Sequence, residues 1–224
     1  MNRFKDAMSF LQTFPGLENS YLLTGFDWAS LGEATVVDVG GSLGIVSCDI
    51  AKRFPDLRFI VQDLPKVIEH AKTKFPAELA GRVTFMAHDF FTEQPVKNAD
   101  IYYFLWILHD WSDKYCIKIL KALVPAMKPG ARILLSERCL EPPCTLPLRQ
   151  ERWNRYVWHD QPPPSITRSC WLIVPIVMKA TSNSQERDQE DWEELFQAAD
   201  VNLKLEGVRR MNGAKLDLII ARWK

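Results

Sequence analysis

Between Thr35 and Gly44 the chain reads TVVDVGGSLG, and this stretch narrows the possible folds more than any other. Val36, Val37 and Val39 suit a strand buried on both faces, and glycines interrupt the run where a helix has to begin. The pattern predicts a strand, a tight turn and a helix N-terminus. Gly40, Gly41 and Gly44 carry no side chain to hold a ligand away from the backbone, and the helix end offers N–H groups with no intrahelical partner. Glycine-rich turns of this kind also arise from packing alone, so a nucleotide-type cofactor and a plain tight turn both fit at this point.

The same alternation continues downstream. Helical spacing over 43–54 stops at Pro55, and a strand over 58–62 runs into Asp63, Leu64 and Pro65. A helix over 66–75 and a strand over 82–87 follow, then a nearly continuous apolar strand over 100–108, closed by His109. A helix over 113–127 and a strand over 131–136 complete the series. Strands alternating with helices at this spacing predict an α/β fold, a Rossmann-like doubly wound sheet that is mostly parallel. Two last strands, 203–210 and 216–223, flank Met211-Asn212-Gly213 and predict a C-terminal antiparallel hairpin. Residues 1–33 read as a helical lead-in, with Phe4, Met8, Leu11 and Phe14 at helical spacing, and 34–224 as the main domain.

Composition limits the partners. Lys plus Arg and Asp plus Glu are equal at 28 each, so no overall field draws the chain to nucleic acid or to an anionic membrane. A small molecule is the expected ligand. No apolar run is long enough to span a bilayer, and MNRFKDAMSF lacks the apolar core of a signal peptide, which predicts a cytoplasmic protein. Five cysteines without a CxxC pair argue against disulfides and against a thiolate zinc site.

Ligands of open α/β sheets bind beyond the C-terminal ends of the strands, and carboxylates stand at three such ends: Asp38, Asp63 and Asp89. Asp63 follows Gly40 by 23 residues, about where a carboxylate takes the two hydroxyls of a ribose. Asp89 can accept from an exocyclic amine, and Phe90 offers a ring for a stacked base. Each aspartate alone also fits a helix cap or a turn. Beside them His109 has the chemistry to take a proton near neutral pH if a partner fixes its tautomer, and Glu137 at the end of the next strand is the candidate. The HDWSD cluster is read as helix capping by Ser112 or Asp113, with no metal expected.

These residues together resemble the S-adenosylmethionine-dependent O-methyltransferases of the plant caffeate and fungal natural-product type. The resemblance runs from about Arg3 to the C-terminus through VVDVGGSLG, VQDLPKVI, HDFF, LHDWSDKYCIKIL, MKPGARILLSE and QERDQEDWEELFQAAD, in order and at family-like spacing. It implies a class I methyltransferase fold. Asp38, Gly40, Gly41, Asp63, Leu64, Asp89 and Phe90 are then expected at S-adenosylmethionine, with S-adenosylhomocysteine as product. His109 is expected as general base, bracketed by Glu137 and Glu186. Trp106, Asp110, Trp158 and Met178 are assigned to the acceptor pocket. The reaction implied is methyl transfer to a phenolic hydroxyl or a carboxyl group of a small secondary metabolite.

Three departures from the family pattern stand out. Ser42 occupies a usual glycine position, tolerable for a negative φ; Leu105 stands where many members carry Lys or Arg; and the dimerising N-terminal region of full-length members is expected to be missing, leaving oligomeric state open. Two alternatives accompany the methyltransferase reading: a pericyclic or isomerising step in the same pocket without methyl transfer, and a non-catalytic partner of a full-length enzyme.

Overall fold

β1 (Ala34–Val39) lies inside the fold with no exposed face: Val36, Val37 and Val39 are at most 1% exposed. The computed structural model describes residues 15–73, 75–140 and 186–224. Among them, β1 is joined by β2 (Leu57–Asp63), β3 (Val83–Ala87), β4 (Ile101–Leu105), β5 (Arg132–Glu137), β6 (Leu203–Arg209) and β7 (Asp217–Trp223) in one sheet of order β3-β2-β1-β4-β5-β7-β6. The first five strands pair in parallel, with Val37 opposite Ile60 on one side and Tyr102 on the other. β7 runs antiparallel to β5 and to β6, so the predicted hairpin supplies β6 as the sheet's edge.

Helices cover both faces, as continuous apolar strands require. On one face α2 (Ile45–Arg53) packs its Val46, Cys48, Ile50 and Ala51 over Phe59, Ile101 and Tyr103. The lead-in from Pro15 onward, including α1 (Ser20–Gly25), joins this layer through Leu22, Phe26 and Trp28, whose indole N–H donates to the Leu22 carbonyl at 2.9 Å. α3 (Pro65–Thr73) lies farther out along β2 and β3. The opposite face is covered by α4 (Asp113–Leu123) and α5 (Gln189–Ala199). α5 begins with a reciprocal capping box between Asp188 and Asp191, and its apolar stripe Trp192, Leu195, Phe196 and Ala199 has the i, i+3, i+4, i+7 spacing of a buried face. Burial of a Leu195- or Phe196-sized side chain contributes about 1.5–3 kcal/mol of transfer free energy.

Two predicted boundaries change. β4 ends at Leu105 and the helix after it at Leu123, where a short turn Val124–Ala126 takes over. His109 therefore lies four residues beyond the strand, in a tight helical turn Leu108–Asp110. Trp106 is the cause: its φ of 53° is left-handed, which a bulky L-residue adopts only under tertiary constraint, and it ends the extended run. Among the described residues no helix is long and apolar enough to cross a membrane.

Candidate active site

The glycine turn after β1 folds back onto β2, because the N–H groups of Gly40 and Gly41 both donate to the Gln62 carbonyl, at 2.8 and 3.0 Å. Gly40 has φ 75°, and a Cβ there would lie 2.6 Å from Ile107 Cδ1; a Cβ on Gly41 would lie 2.5 Å from the Asp38 carboxyl. The turn therefore packs tightly onto Ile107 and Asp38 and forms a backbone cradle at the C-terminal end of β1. At its mouth the Asp63 carboxylate accepts from the N–H of Ser42 at 3.0 Å and of Leu64 at 2.7 Å, and the Leu64 side chain is 54% exposed. Ser42 departs from expectation: its φ is +52°, not negative. A left-handed L-residue costs about 1–2 kcal/mol, so Ser42→Gly should raise stability by about 1 kcal/mol, read as a higher urea midpoint at unchanged m-value.

Asp38 lies beneath the turn rather than on its surface. It is 2% exposed and accepts from the Ser47 hydroxyl at 2.6 Å. Burial pushes its carboxyl up to about 6, against the Ser47 bond and helped by the charge of Asp63. Because the folded value lies above the unfolded one, the folded state binds the extra proton between pH of about 4 and 6, and stability falls as pH rises through that window. A shift of about two pH units corresponds to ~3 kcal/mol. Asp38→Asn should lack this slope, so the stability difference between the proteins, read from urea melts at pH 4.5 and 7.5, should move in the variant's favour at the higher pH.

The far end of the cradle is built by the segment after β3. Asp89 is exposed and caps its own turn by accepting from the Phe91 N–H at 2.9 Å; Phe90 packs edge-on against Phe91 and Trp111. His88, Phe90, Thr92 and Gln94 line a cleft with about 180 Å³ of empty space there. A feature with no sequence signal joins the two ends. Gln62 and Gln94, both buried, exchange amide bonds of 2.7 and 2.8 Å, so the residue whose carbonyl holds the glycine turn also holds the Asp89–Gln94 loop. The reach across 32 residues between two neutral amides is why pattern reading passes over it.

Beyond β4 the chain turns sharply, and Glu137 dictates how. Its Oε1 accepts from the N–H groups of both Ile107 and Leu108 at 2.9 Å, while its Oε2 has no hydrogen-bond partner among the described residues. The Glu186 Oε2 is likewise buried without one. Burial raises both carboxyls above the ordinary range; the charge of His109 is the largest opposing influence on each. His109 thus lies near enough to both Glu137 and Glu186 for its charge to act on each. The detail differs, however: Glu137 fixes the backbone of the turn, and the nearest carboxylate contact of the His109 ring is Asp110 Oδ1, 3.6 Å from Nε2. Ser112 stands at the N-cap of α4 without a side-chain cap bond, and Asp113 pairs with Arg187 at 2.7 Å instead of capping.

Of the predicted acceptor-pocket residues, Trp106 lines a cleft with about 390 Å³ of solvent-open space together with Leu17, Tyr103, Leu105, Ser136 and Met211. Asp110 lies against His109 rather than on that cleft. Trp158 and Met178 lie outside the described residues. Among the described residues no cluster of three His, Cys, Asp or Glu side chains could hold a metal ion. Cys48, Cys116 and Cys139 are buried free thiols.

A family model described as an O-methyltransferase domain matches residues 2–201. The grayanic acid biosynthesis cluster O-methyltransferase of Cladonia grayi is 46% identical over 224 residues, covering 99% of this chain and 46% of that protein. Human N-acetylserotonin methyltransferase, solved in complex with S-adenosylmethionine, superposes with a TM-score of 0.72 at 25% identity, covering 98% of this chain and 55% of that one. A pericyclic reaction enzyme superposes with a TM-score of 0.65 at 27% identity, covering 96% and 48%. The chain spans about half the length of these relatives.

Proposed function

Because the chain belongs to the O-methyltransferase domain family, we propose that it transfers a methyl group from S-adenosylmethionine to a phenolic hydroxyl of a small secondary metabolite, with His109 as general base. The observation that carries this is the His109 turn, set between two buried carboxyls whose Oε2 atoms lack hydrogen-bond partners among the described residues. The cradle fits the cofactor by shape and charge. Gly40 and Gly41 let the turn pack directly onto Ile107 and Asp38, where a Cβ would collide, Asp63 places its carboxylate at the end of β2, and Leu64 and Phe90 offer apolar surfaces beside it. Bound there, S-adenosylmethionine supplies a methyl group made electrophilic by its sulfonium.

The chain's own residues do the rest. His109 takes the hydroxyl proton onto a ring nitrogen, and Glu137 and Glu186 stabilise the imidazolium that forms, consistent with the pull its charge exerts on both. A phenol, with a pKa of about 10, needs that base at neutral pH, whereas a carboxylic acid is already ionised; the base therefore favours the phenol over the carboxyl. Trp106 and the cleft beside it are assigned to the acceptor ring. Holding acceptor and donor in line supplies much of the rate, since well-aligned intramolecular reactions reach effective molarities of about 10⁵ M or more. Location in the cytoplasm accords with a soluble cofactor of this kind.

The test is release of S-adenosylhomocysteine from S-adenosylmethionine across a panel of phenols. The likeness to a pericyclic reaction enzyme, together with Leu105 in place of a cation on the cleft, supports a second reading in which the cofactor stays intact. Tight S-adenosylmethionine binding with no S-adenosylhomocysteine from any phenol would move the assignment to that reading.

A further inference from the structure

One guanidinium ties together the whole segment that carries His109. Arg187 is 1% exposed, an unusual position for an arginine, and its Nε and NH2 nitrogens reach Asp113 Oδ1 at 3.0 and 2.7 Å. NH1 donates to the Leu108 carbonyl at 3.3 Å and NH2 to the Trp111 carbonyl at 3.0 Å. These two carbonyls flank His109 and Asp110. The guanidinium also lies over the Trp192 ring at 5.1 Å, which fixes its plane to α5. Cys116 Sγ sits 3.2 and 3.3 Å from the same two carbonyls and 3.4 Å from NH2, closing the space around the fork.

The backbone of Arg187 is anchored as well. It forms a parallel bridge with Cys139, and its carbonyl accepts from the Leu140 N–H at 2.9 Å, so it continues from the end of β5 where Glu137 stands. The turn is consequently gripped from both polar sides of its backbone: Glu137 holds the N–H groups of Ile107 and Leu108, and Arg187 holds the carbonyls of Leu108 and Trp111. Immediately before the gripped segment stands Trp106 in its left-handed conformation, which does not persist without such constraint.

We infer that Arg187 is a positioning residue for the proposed methyl transfer, its guanidinium setting His109 and, through the peptide bond, the neighbouring Glu186 in one fixed arrangement, with Asp113 as its charged anchor. This rests on the assignment of His109 as base. The planar fork is essential, because a lysine ammonium on its flexible stem cannot meet Asp113, Leu108 and Trp111 in the same geometry.

Three variants of the whole chain test it: Asp113→Asn, Arg187→Lys and Arg187→Met. Asp113 is half exposed, so Asp113→Asn weakens the anchor without opening the core. Two readouts are needed, NMR of the amides of residues 106–112 with the His109 imidazole, and kcat, acceptor KM and S-adenosylmethionine Kd. In Asp113→Asn and Arg187→Lys, amide exchange over 106–112 should quicken about tenfold and the His109 ring signals move, while β1 amides keep their protection. kcat should fall roughly fivefold in Asp113→Asn, ~30-fold in Arg187→Lys and ~100-fold or more in Arg187→Met, with Kd for S-adenosylmethionine within twofold, the range a misplaced catalytic group produces. Unchanged exchange and ring signals in Asp113→Asn and Arg187→Lys overturn the inference, as does faster exchange spread evenly over the sheet. Should the parent release no S-adenosylhomocysteine at all, the methyl-transfer reading fails and the NMR measurements still decide the placement of His109.

Discussion

His109→Gln should lower kcat for methyl transfer by about 10² to 10⁴, the contribution of a positioned general base. Glutamine keeps a side chain of similar reach and can hydrogen-bond in the same place, but it cannot take a proton. Nothing that holds the glycine cradle passes through the imidazole: Gly40 and Gly41 bond to Gln62, and Ser42 to Asp63. The S-adenosylmethionine Kd, measured by calorimetry, should therefore stay within about twofold, and acceptor KM should change little, leaving a loss confined to kcat. The turn itself should survive too, because its bonds to Glu137 and Arg187 are made by backbone atoms. Parent-like turnover in this variant removes His109 from the role of base.

Gly41→Ala attacks the other half of the site. The added methyl would stand 2.5 Å from both Cγ and Oδ2 of Asp38, well inside any tolerated contact, and Asp38 has nowhere to go because it is buried and held by Ser47. Either the Asp38–Ser47 bond breaks, leaving a buried carboxylate unsatisfied, or the turn shifts off the Gln62 carbonyl. Overpacking and the loss of one buried hydrogen bond each cost about 1–3 kcal/mol, so stability should drop by about 3 kcal/mol. A turn displaced by even part of an ångström no longer presents the bare cradle, and S-adenosylmethionine affinity should fall about a hundredfold. Gly32→Ala is the control. No atom lies within 4 Å of its Cβ position, and although its φ of +60° with ψ of −141° is a conformation that alanine adopts only at a cost in stability, cofactor affinity should hold. Gly41→Ala binding as tightly as the parent would show that the turn does not form the cofactor's cradle.

Much of this architecture is written locally. The β1 valines, the glycine turn and the α5 stripe are each decided within ten residues or so, and the family-like spacing carried His109, Glu137 and Glu186 to a common place. What the sequence hides is set by contacts distant in the chain. Ser42 and Trp106 take left-handed angles that their residue types disfavour, and the bonds responsible run to Asp63 and, one residue past Trp106, to Glu137. Within QERDQEDW Glu186 draws attention as a candidate acid, whereas Arg187 looks like any solvent-facing arginine until its partners are in view. Gln62 and Gln94 give no signal at all, since neutral amides match each other at any separation.

The Arg187 fork also sets an order of events for the chain as it folds. Its bonds to Leu108 and Trp111 close loops of 79 and 76 residues, among the most distant hydrogen bonds in the site. Loops of that length close late, after local helices and hairpins have formed. None of the hydrogen bonds that assemble the cradle, from Asp38 to Gln94, is made by Arg187. During refolding, S-adenosylmethionine should be captured before His109 and Glu186 are brought face to face, so that the ability to hold the donor precedes the ability to use it.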